Sequence, residues 1–349
     1  MEFTAGARLE VRISPADVGR RVSVRSVTTP GEPGARFTDT VGVLTAWRDG
    51  VLYITRRNGE QARVPEATLV AGKVVPRVPA RRRGVPAARP AELARIAARA
   101  WPAVEREPLG GWLLRAADGF THRANSVLAL GDPGMPLDAA LERVTAWYAA
   151  RGLPACAQLT TGGEGTEDRL VAELEARGWR VVVTAEVWTA GLAAVVDAAS
   201  GAPSGEGAGP TPRVVLSRTP GPDWFARCHR FAGRPPTATQ EAVVRGGPSV
   251  WFATVPEDGA PAGAPAAAVG RCVVDGRWAG FSAVEVAPEL RGRGLATALL
   301  AALARQALAE GATAGYLEVE TDNAPARRLY HRLGFARHHA YHHRRAPEH

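Results

Sequence analysis

The sequence is poor in cysteine, lysine and methionine. Its three cysteines, Cys156, Cys228 and Cys272, are odd in number and far apart, which argues against a disulfide framework or a zinc ribbon. Lys73 is the single lysine, every other basic residue being arginine. No run of about 18 apolar residues is free of charge or of Gly and Pro punctuation, so no membrane span is expected. The N-terminus, Met-Glu-Phe-Thr, lacks a basic segment followed by an apolar one, so no secretory leader is expected. A cytoplasmic protein follows as the default. What is present suits a globular chain: of 349 residues, 46% are hydrophobic and 22% charged. At ~100–200 residues per domain the length suggests two or three domains.

The formal charge of +8 is unevenly spread. Residues 1–90 hold 16 basic and 8 acidic residues, residues 91–212 hold 10 and 15, and residues 213–349 hold 17 and 12. A basic N-terminal segment raises a nucleic-acid partner as one reading. Solubility charge together with a site for a phosphorylated ligand is the reading we prefer.

Two stretches read as linkers. Residues 78–90 lie in the Pro/Arg-rich run RVPARRRGVPAARP, and residues 201–212 read GAPSGEGAGPTP. They bound three parts. Residues 1–77 alternate in short strand-like runs around Arg48-Asp49-Gly50 and Arg57-Asn58-Gly59, a hairpin signal; a small all-β barrel of the Src-homology-3-like type is expected. Residues 91–200 mix helices (from Pro90 to Ala100, Leu137 to Arg151, Asp168 to Arg177) with strands at Trp112–Arg115, Arg123–Leu130, Ala155–Thr160 and Arg180–Thr189. Residues 213–349 do the same. A strand over Arg277–Val286 runs into a helix over Gly294–Ala309 whose Leu295, Leu299, Leu303 and Ala307 share a face. A strand over Tyr316–Glu320, a helix over Pro325–Leu333 and a strand over Phe335–Arg344 follow. The fold class is therefore α/β with a mixed sheet.

The chemistry concentrates at Ala287-Pro-Glu-Leu-Arg-Gly-Arg-Gly-Leu-Ala296, a strand-to-helix turn. Its glycines let a ligand approach the backbone, and the helix N-terminus offers unpaired amides and a positive dipole end, fit for a pyrophosphate. Arg291 and Arg293 add charge. Downstream, Leu317-Glu-Val-Glu-Thr-Asp-Asn323 is followed by Ala-Pro-Ala-Arg-Arg-Leu-Tyr330 and Gly334-Phe335. Period-two alternation puts Glu318 and Glu320 on one face of their strand, with Leu317 and Val319 on the other.

These two motifs, in this order, resemble the signatures of the GNAT superfamily of N-acetyltransferases, across most of residues 213–345. The resemblance implies an acetyl-CoA-dependent N-acetyltransferase fold in residues 213–349. Backbone groups at Val284 and Val286 would pair with the acetyl-pantetheine arm. Arg291, Gly292, Arg293, Gly294, Leu295 and Ala296 would wrap the pyrophosphate, and Asn323 would contact the pantetheine or its water. Tyr330 would protonate the leaving thiolate, a role that suits a phenol. The proton acceptor for the amine would be Glu318, twelve residues before Tyr330 as in the ribosomal-protein alanine acetyltransferases of the family, or Glu285 on the neighbouring strand. Transfer would be direct, in a ternary complex with a small-molecule or protein amine. A non-catalytic acyl-CoA-sensing or nucleic-acid-binding regulator is the alternative.

A shift of 156 residues lays residues 91–200 on the third part, which suggests a degenerate GNAT-like unit. There the loop reads Gly131-Asp-Pro-Gly-Met-Pro-Leu-Asp138, Leu174 stands for Tyr330 and Gln158 for Glu318. The stretch Trp112-Leu-Leu-Arg-x-x-x-Gly-x-x-x-Arg-Ala-Asn-Ser126 is similar to one found in two-unit members of the superfamily. His338, His339, His342 and His343 cluster near the C-terminus, but neighbours on a strand point to opposite faces, so no metal site is expected; a place beside the acceptor cleft is.

Overall fold

The computed structural model describes residues 11–27, 37–56, 60–74, 86–200, 212–231, 233–257, 259, 261 and 263–347. The hairpin signal at Arg57-Asn58-Gly59, residues 78–85 of the first linker and residues 201–211 of the second lie outside these. Two compact units divide the chain, Met1–Arg82 and Arg83–His349. Among the described residues no helix is long and apolar enough to cross a membrane.

In the first unit, β1 (Val11–Arg12), β2 (Arg21–Val27), β3 (Phe37–Arg48), β4 (Val51–Thr55), β5 (Gln61–Pro65) and β6 (Leu69–Val74) form a sheet in the order β1-β6-β2-β3-β4-β5. Alternation along the strands buries Val22, Val24, Leu44, Leu52, Ile54 and Val64 on one face with Ile13. The β3–β4 turn places Asp49 and Gly50 at φ 55° and 69°, the positive values that a tight hairpin turn demands.

The second unit begins with α1 (Pro90–Ala100), β7 (Glu105–Leu109), β8 (Trp112–Ala116), β9 (Val127–Leu128), α2 (Leu137–Ala149), β10 (Cys156–Thr161), α3 (Asp168–Ala176), β11 (Arg180–Gly191) and α4 (Leu192–Ser200). It continues with β12 (Val215–Ser217), α5 (Pro222–Arg227), α6 (Ala238–Arg245), β13 (Ser249–Val255), β14 (Ala268–Asp275), β15 (Trp278–Val286), α7 (Leu295–Ala309), β16 (Ala314–Glu320), α8 (Ala324–Arg332) and β17 (Ala336–Arg345). The succession β7-β8-β9-α2-β10-α3-β11 is repeated by β13-β14-β15-α7-β16-α8-β17. In both runs the helix after the third strand crosses between a parallel pair, β9 with β10 and β15 with β16.

All strands of this unit join one sheet, in the order β12-β13-β14-β15-β16-β11-β17-β10-β9-β8-β7. The last strand of each run has changed places. β11, from the first run, pairs with β16 from Ala185↔Glu320 to Gly191↔Ala314. β17, from the second, pairs with β10 on one side and β11 on the other. As an interior strand, β17 buries His339 and His343 and half-buries His338 and His342. This corrects the expectation that the histidines border a cleft: His338 Nε2 contacts the Ala88 carbonyl, and His343 packs against His122 and Tyr341.

The expected strand over 123–130 is confined to Val127–Leu128. Residues 117–126 turn instead around one side chain. Asn125 Oδ1 accepts from the amides of Ala117 and Gly119, and its Nδ2 donates to the carbonyls of Phe120 and Thr121. A short amide that satisfies four backbone groups competes successfully with a sheet ladder. Arg115, in the same motif, donates to the Ser126 carbonyl, Ser126 Oγ and Gln158 Oε1. Helices and strands that the sequence left unassigned include β7, α4, α5 and α6.

Two outcomes are expected from this architecture. Residues 213–349 produced alone lack β11, so β16 and β17 each lose a ladder; circular dichroism and urea titration should show no cooperative fold, and co-production with residues 83–200 should restore one. Asn125→Ala strands buried backbone groups and should lower the unfolding free energy by about 3 kcal/mol in the same urea titration.

Candidate functional site

β15 and β16 run in parallel register only from Trp278↔Ala314 to Phe281↔Leu317. Beyond that point β15 bulges. Ser282 faces Arg271 and Glu285 faces Val269, so two residues oppose Gly270 alone, and Ala283 sits at φ 50°. A bulge bends its strand and sharpens the local twist. β16, held along its other edge by β11, does not follow. The result is a wedge between the strands in which residues 282–286 have no β16 partner.

The wedge opens onto the Gly-rich turn. After a short 3₁₀ turn at Pro288–Leu290, Gly292 and Gly294 both adopt φ 79°, and a Cβ at either would meet no atom within 4 Å. The backbone is therefore approachable and in a conformation that side chains resist. Gly294 caps α7 without any side-chain hydrogen bond, which leaves the first amides of the helix unpartnered. Arg291 and Arg293 are exposed, and Leu295 and Ala296 are half-buried in the first turn. These features fit a diphosphate-bearing ligand whose extended arm enters the wedge.

Asn323 is the N-cap of α8, its Oδ1 accepting from the Ala326 amide at 3.2 Å. Tyr330 lies about two turns further along α8, edge-on to Phe335 at 6.1 Å. It is half-buried in the hydrophobic cluster that also holds Val284, Val286, Leu290 and Leu295. Burial pushes its phenol up to about 12, so it stays protonated at neutral pH and remains a proton donor.

The two glutamates have different surroundings. Glu318 points to the opposite sheet face from Tyr330's cluster and forms an ion pair with Arg123; their side chains are 7% and 18% exposed. Arg123 comes from the loop that Asn125 organises and also lies over the Trp101 ring at 5.0 Å. Burial alone would lower the Arg123 guanidinium, but the Glu318 carboxylate, with Tyr341 and Tyr316, raises it above its ordinary value.

Glu285 projects from the bulged end of β15. Its Oε1 lies 2.6 Å from His229 Nδ1 and 3.4 Å from Cys228 Sγ, and its Oε2 accepts from the His229 amide at 2.8 Å. Burial works to raise the Glu285 carboxyl; the bonds from His229 and Cys228 prevail and lower it. Burial pushes the thiols of Cys228 and Cys272 up to about 12, so both stay protonated at neutral pH.

His229 and Arg230 line a cleft of about 650 Å³ with Asp118–Thr121 and the start of α6, residues Thr237–Gln240. A capping box fixes that helix start: Thr237 Oγ1 accepts from the Gln240 amide and Gln240 Oε1 from the Thr237 amide. Thr239 Oγ1 donates to Asp118 Oδ2 at 2.5 Å and ties the two walls together. The Arg230 guanidinium lies 5.7 Å from the Trp101 ring and makes no hydrogen bond or ion pair among the described residues. Sequence reasoning missed His229 and Arg230, which belong to no motif, and read Asp118 only as part of a turn. Arg123 stood in a quoted motif, with nothing to tell that its partner is 195 residues away.

In the first run the corresponding positions differ. Loop amides are already taken: Gly131 donates to Glu167 Oε1 at 3.2 Å and Gly134 to Asp132 Oδ1 at 2.7 Å. Leu174 is fully buried in a hydrophobic core. Gln158 is held by Arg115.

A family model described as "Probable histone acetyltransferase Rv0428c C-terminal" matches residues 88–344. The chain is 31% identical over 344 residues to the "Probable histone acetyltransferase Rv0428c" of Mycobacterium tuberculosis, covering 94% of this chain and 95% of that one. It is 26% identical over 262 residues to the "Uncharacterized N-acetyltransferase YobR" of Bacillus subtilis, covering 70% and 94%. Among solved structures, a GCN5-related N-acetyltransferase from Kribbella flavida superposes with a TM-score of 0.50 at 16% identity, over 74% of this chain and 96% of that one, a likeness of fold. With a family model spanning most of the chain and a relative matched along almost its whole length, the chain belongs to the family of the probable histone acetyltransferase Rv0428c and is a GNAT-type N-acetyltransferase.

Proposed function

We propose that the protein moves an acetyl group from acetyl-CoA to a primary amine by direct transfer in a ternary complex. The observation that carries this reading is the wedge between β15 and β16, continuous with an uncapped helix N-terminus approached through two left-handed glycines. Acetyl-CoA would supply an activated thioester carbonyl. The amides of residues 292–296, with Arg291 and Arg293, bind its pyrophosphate, and the free backbone edge at Val284 and Val286 pairs with the pantetheine arm. Asn323 fixes the start of α8 and so the direction of Tyr330. Tyr330 gives its proton to the departing thiolate.

Of the two candidate glutamates, Glu285 is the one bonded to His229, which lines the cleft. An oxygen of Glu318 is already taken by Arg123, so Glu318 is assigned to holding that arginine and the loop behind it, and the proton of the amine leaves towards the paired Glu285 and His229. The acceptor is the amine of a small molecule or of a protein side chain; the name of the Mycobacterium tuberculosis relative points to the latter. We further assign residues 1–77 to a Src-homology-3-like module, 91–200 to a GNAT-like half that has lost the chemistry, and 213–349 to the half that retains it.

Titration calorimetry with acetyl-CoA tests the binding assignment. One saturable site is expected in the wild type, and none in Gly294→Glu, which sets a side chain at φ 79° and a negative charge where the pyrophosphate belongs. A folded wild type that binds nothing overturns the reading. Tyr330→Phe should bind acetyl-CoA within about twofold of wild type and lose about 10²-fold in kcat, measured by thiol release. Because burial holds the Tyr330 proton up to about 12, wild-type kcat should show no fall near pH ~10, where an unburied tyrosine titrates.

A further inference from the structure

Resting on the acetyltransferase reading, we infer that His229, oriented by Glu285, is the group that takes the proton from the acceptor amine. Three features of the geometry point there. Glu285 grips His229 twice, through the ring Nδ1 at 2.6 Å and the backbone amide at 2.8 Å, so both the ring and the turn that carries it are fixed. A carboxylate can only accept, so Nδ1 carries the hydrogen and Nε2 of the neutral ring presents its lone pair. That nitrogen has no partner among the described residues, and the ring stands 71% exposed on the wall of the cleft. Glu285 itself is 17% exposed, behind the ring. An arriving ammonium therefore meets the imidazole before it meets the carboxylate.

The charged and titratable groups around the ring are few. Glu285 faces it from β15, Cys228 and Arg230 flank it on its own turn, and Asp118 stands across the cleft, bonded to Thr239. Arg230 keeps a positive charge close by, which disfavours an ammonium ion and favours the neutral amine that must attack.

The step balances as follows. The ammonium gives one proton to His229 Nε2, and the freed amine forms the N–C bond to the thioester carbonyl. The C–S bond breaks, and the thiolate takes the proton of Tyr330. The remaining extra proton on the new amide nitrogen returns to the Tyr330 phenolate, and the His229 imidazolium releases its proton to water. Glu285 stays ionised throughout and acts as a positioning residue.

Nitrogen-15 spectra of the histidine rings, recorded on the protein without acetyl-CoA, test the orientation independently of turnover. Neutral His229 is expected as the Nδ1–H tautomer in wild type and as the Nε2–H tautomer in Glu285→Gln; an Nε2–H ring in wild type overturns the proposal. Thiol release from acetyl-CoA with a lysine-containing peptide and with spermidine tests the role. His229→Gln should lose 10²–10³-fold in kcat/KM at pH 7 and lose the acid limb of the pH profile, with acetyl-CoA affinity unchanged. Added imidazole should restore part of the activity of His229→Ala and none of that of Glu285→Gln. A His229→Gln enzyme that keeps the wild-type acid limb overturns the proposal and leaves the transferase reading standing. A folded wild type that neither binds acetyl-CoA nor releases thiol removes both.

Discussion

The exchange of C-terminal strands between the two runs is the constraint on which the rest of the second unit depends. β16 is hydrogen-bonded to β11 along its whole length, whereas its pairing with β15 ends after four residues. A strand with a complete ladder on one side keeps its course; a bulged strand tethered to β14 departs from it. The wedge is thus held open by two ladders pulling apart, and the ladder on the β16 side is made of residues from the other run. Two separate halves without the exchange would each end on their last strand, β17 or β11, with an edge exposed to pairing with another chain. Exchange removes that edge and makes the geometry of the site a property of both halves.

Buried guanidinium groups hold the ends of these strands together. Arg271 donates to the carbonyls of Val244, Ala100 and Gly246, and to Ser282 Oγ beside the bulge. Arg115 fastens Ser126 and Gln158, and Arg123 reaches Glu318. Burial lowers Arg271 to about 9 and Arg115 to about 10, so both stay charged at neutral pH in spite of the desolvation. Charge-assisted bonds to carbonyls are stronger than neutral ones, and a planar fork with five donors can satisfy several loop ends at once, which an ammonium cannot do. With a single lysine in the chain, the fold uses the arginine fork at these three places to tie a strand end to a distant segment. The wedge and the cleft are both bounded by such ties.

Much of this was legible in the sequence, and the reasons it was so are local. Gly292 and Gly294 announce positive φ before a helix; Pro325 and Gly334 bracket α8; leucines at helical spacing mark the buried face of α7. Each is a signal contained within a dozen residues. What escaped is non-local or single-residue. The Asn125 turn imitates a strand because its apolar neighbours are core residues, and only the four bonds made by one amide reveal that the backbone has turned. The position of β17 inside the sheet cannot follow from its own residues, since an interior strand and an edge strand with the same alternation read alike. His229 is set opposite Glu285 by the bulge at Ala283, a non-glycine residue at positive φ that no motif marks.

The difference between the two runs is a matter of how a few polar groups are employed. Both contain a parallel strand pair bridged by a helix, the arrangement that puts a helix N-terminus at the end of a strand. In the second run the amides at that point are left without partners. In the first, Asp132 and Glu167 have taken them, and prolines at 133 and 136 remove two more donors. The loop amides at this point of the first run are therefore occupied from within by carboxylates of its own chain. The first run lends its residues to the second: Arg123 holds Glu318, Asp118 to Thr121 form a wall of the cleft, and β11 steadies β16. The half whose loop amides are already taken is what gives the other half a shaped and rigid wedge.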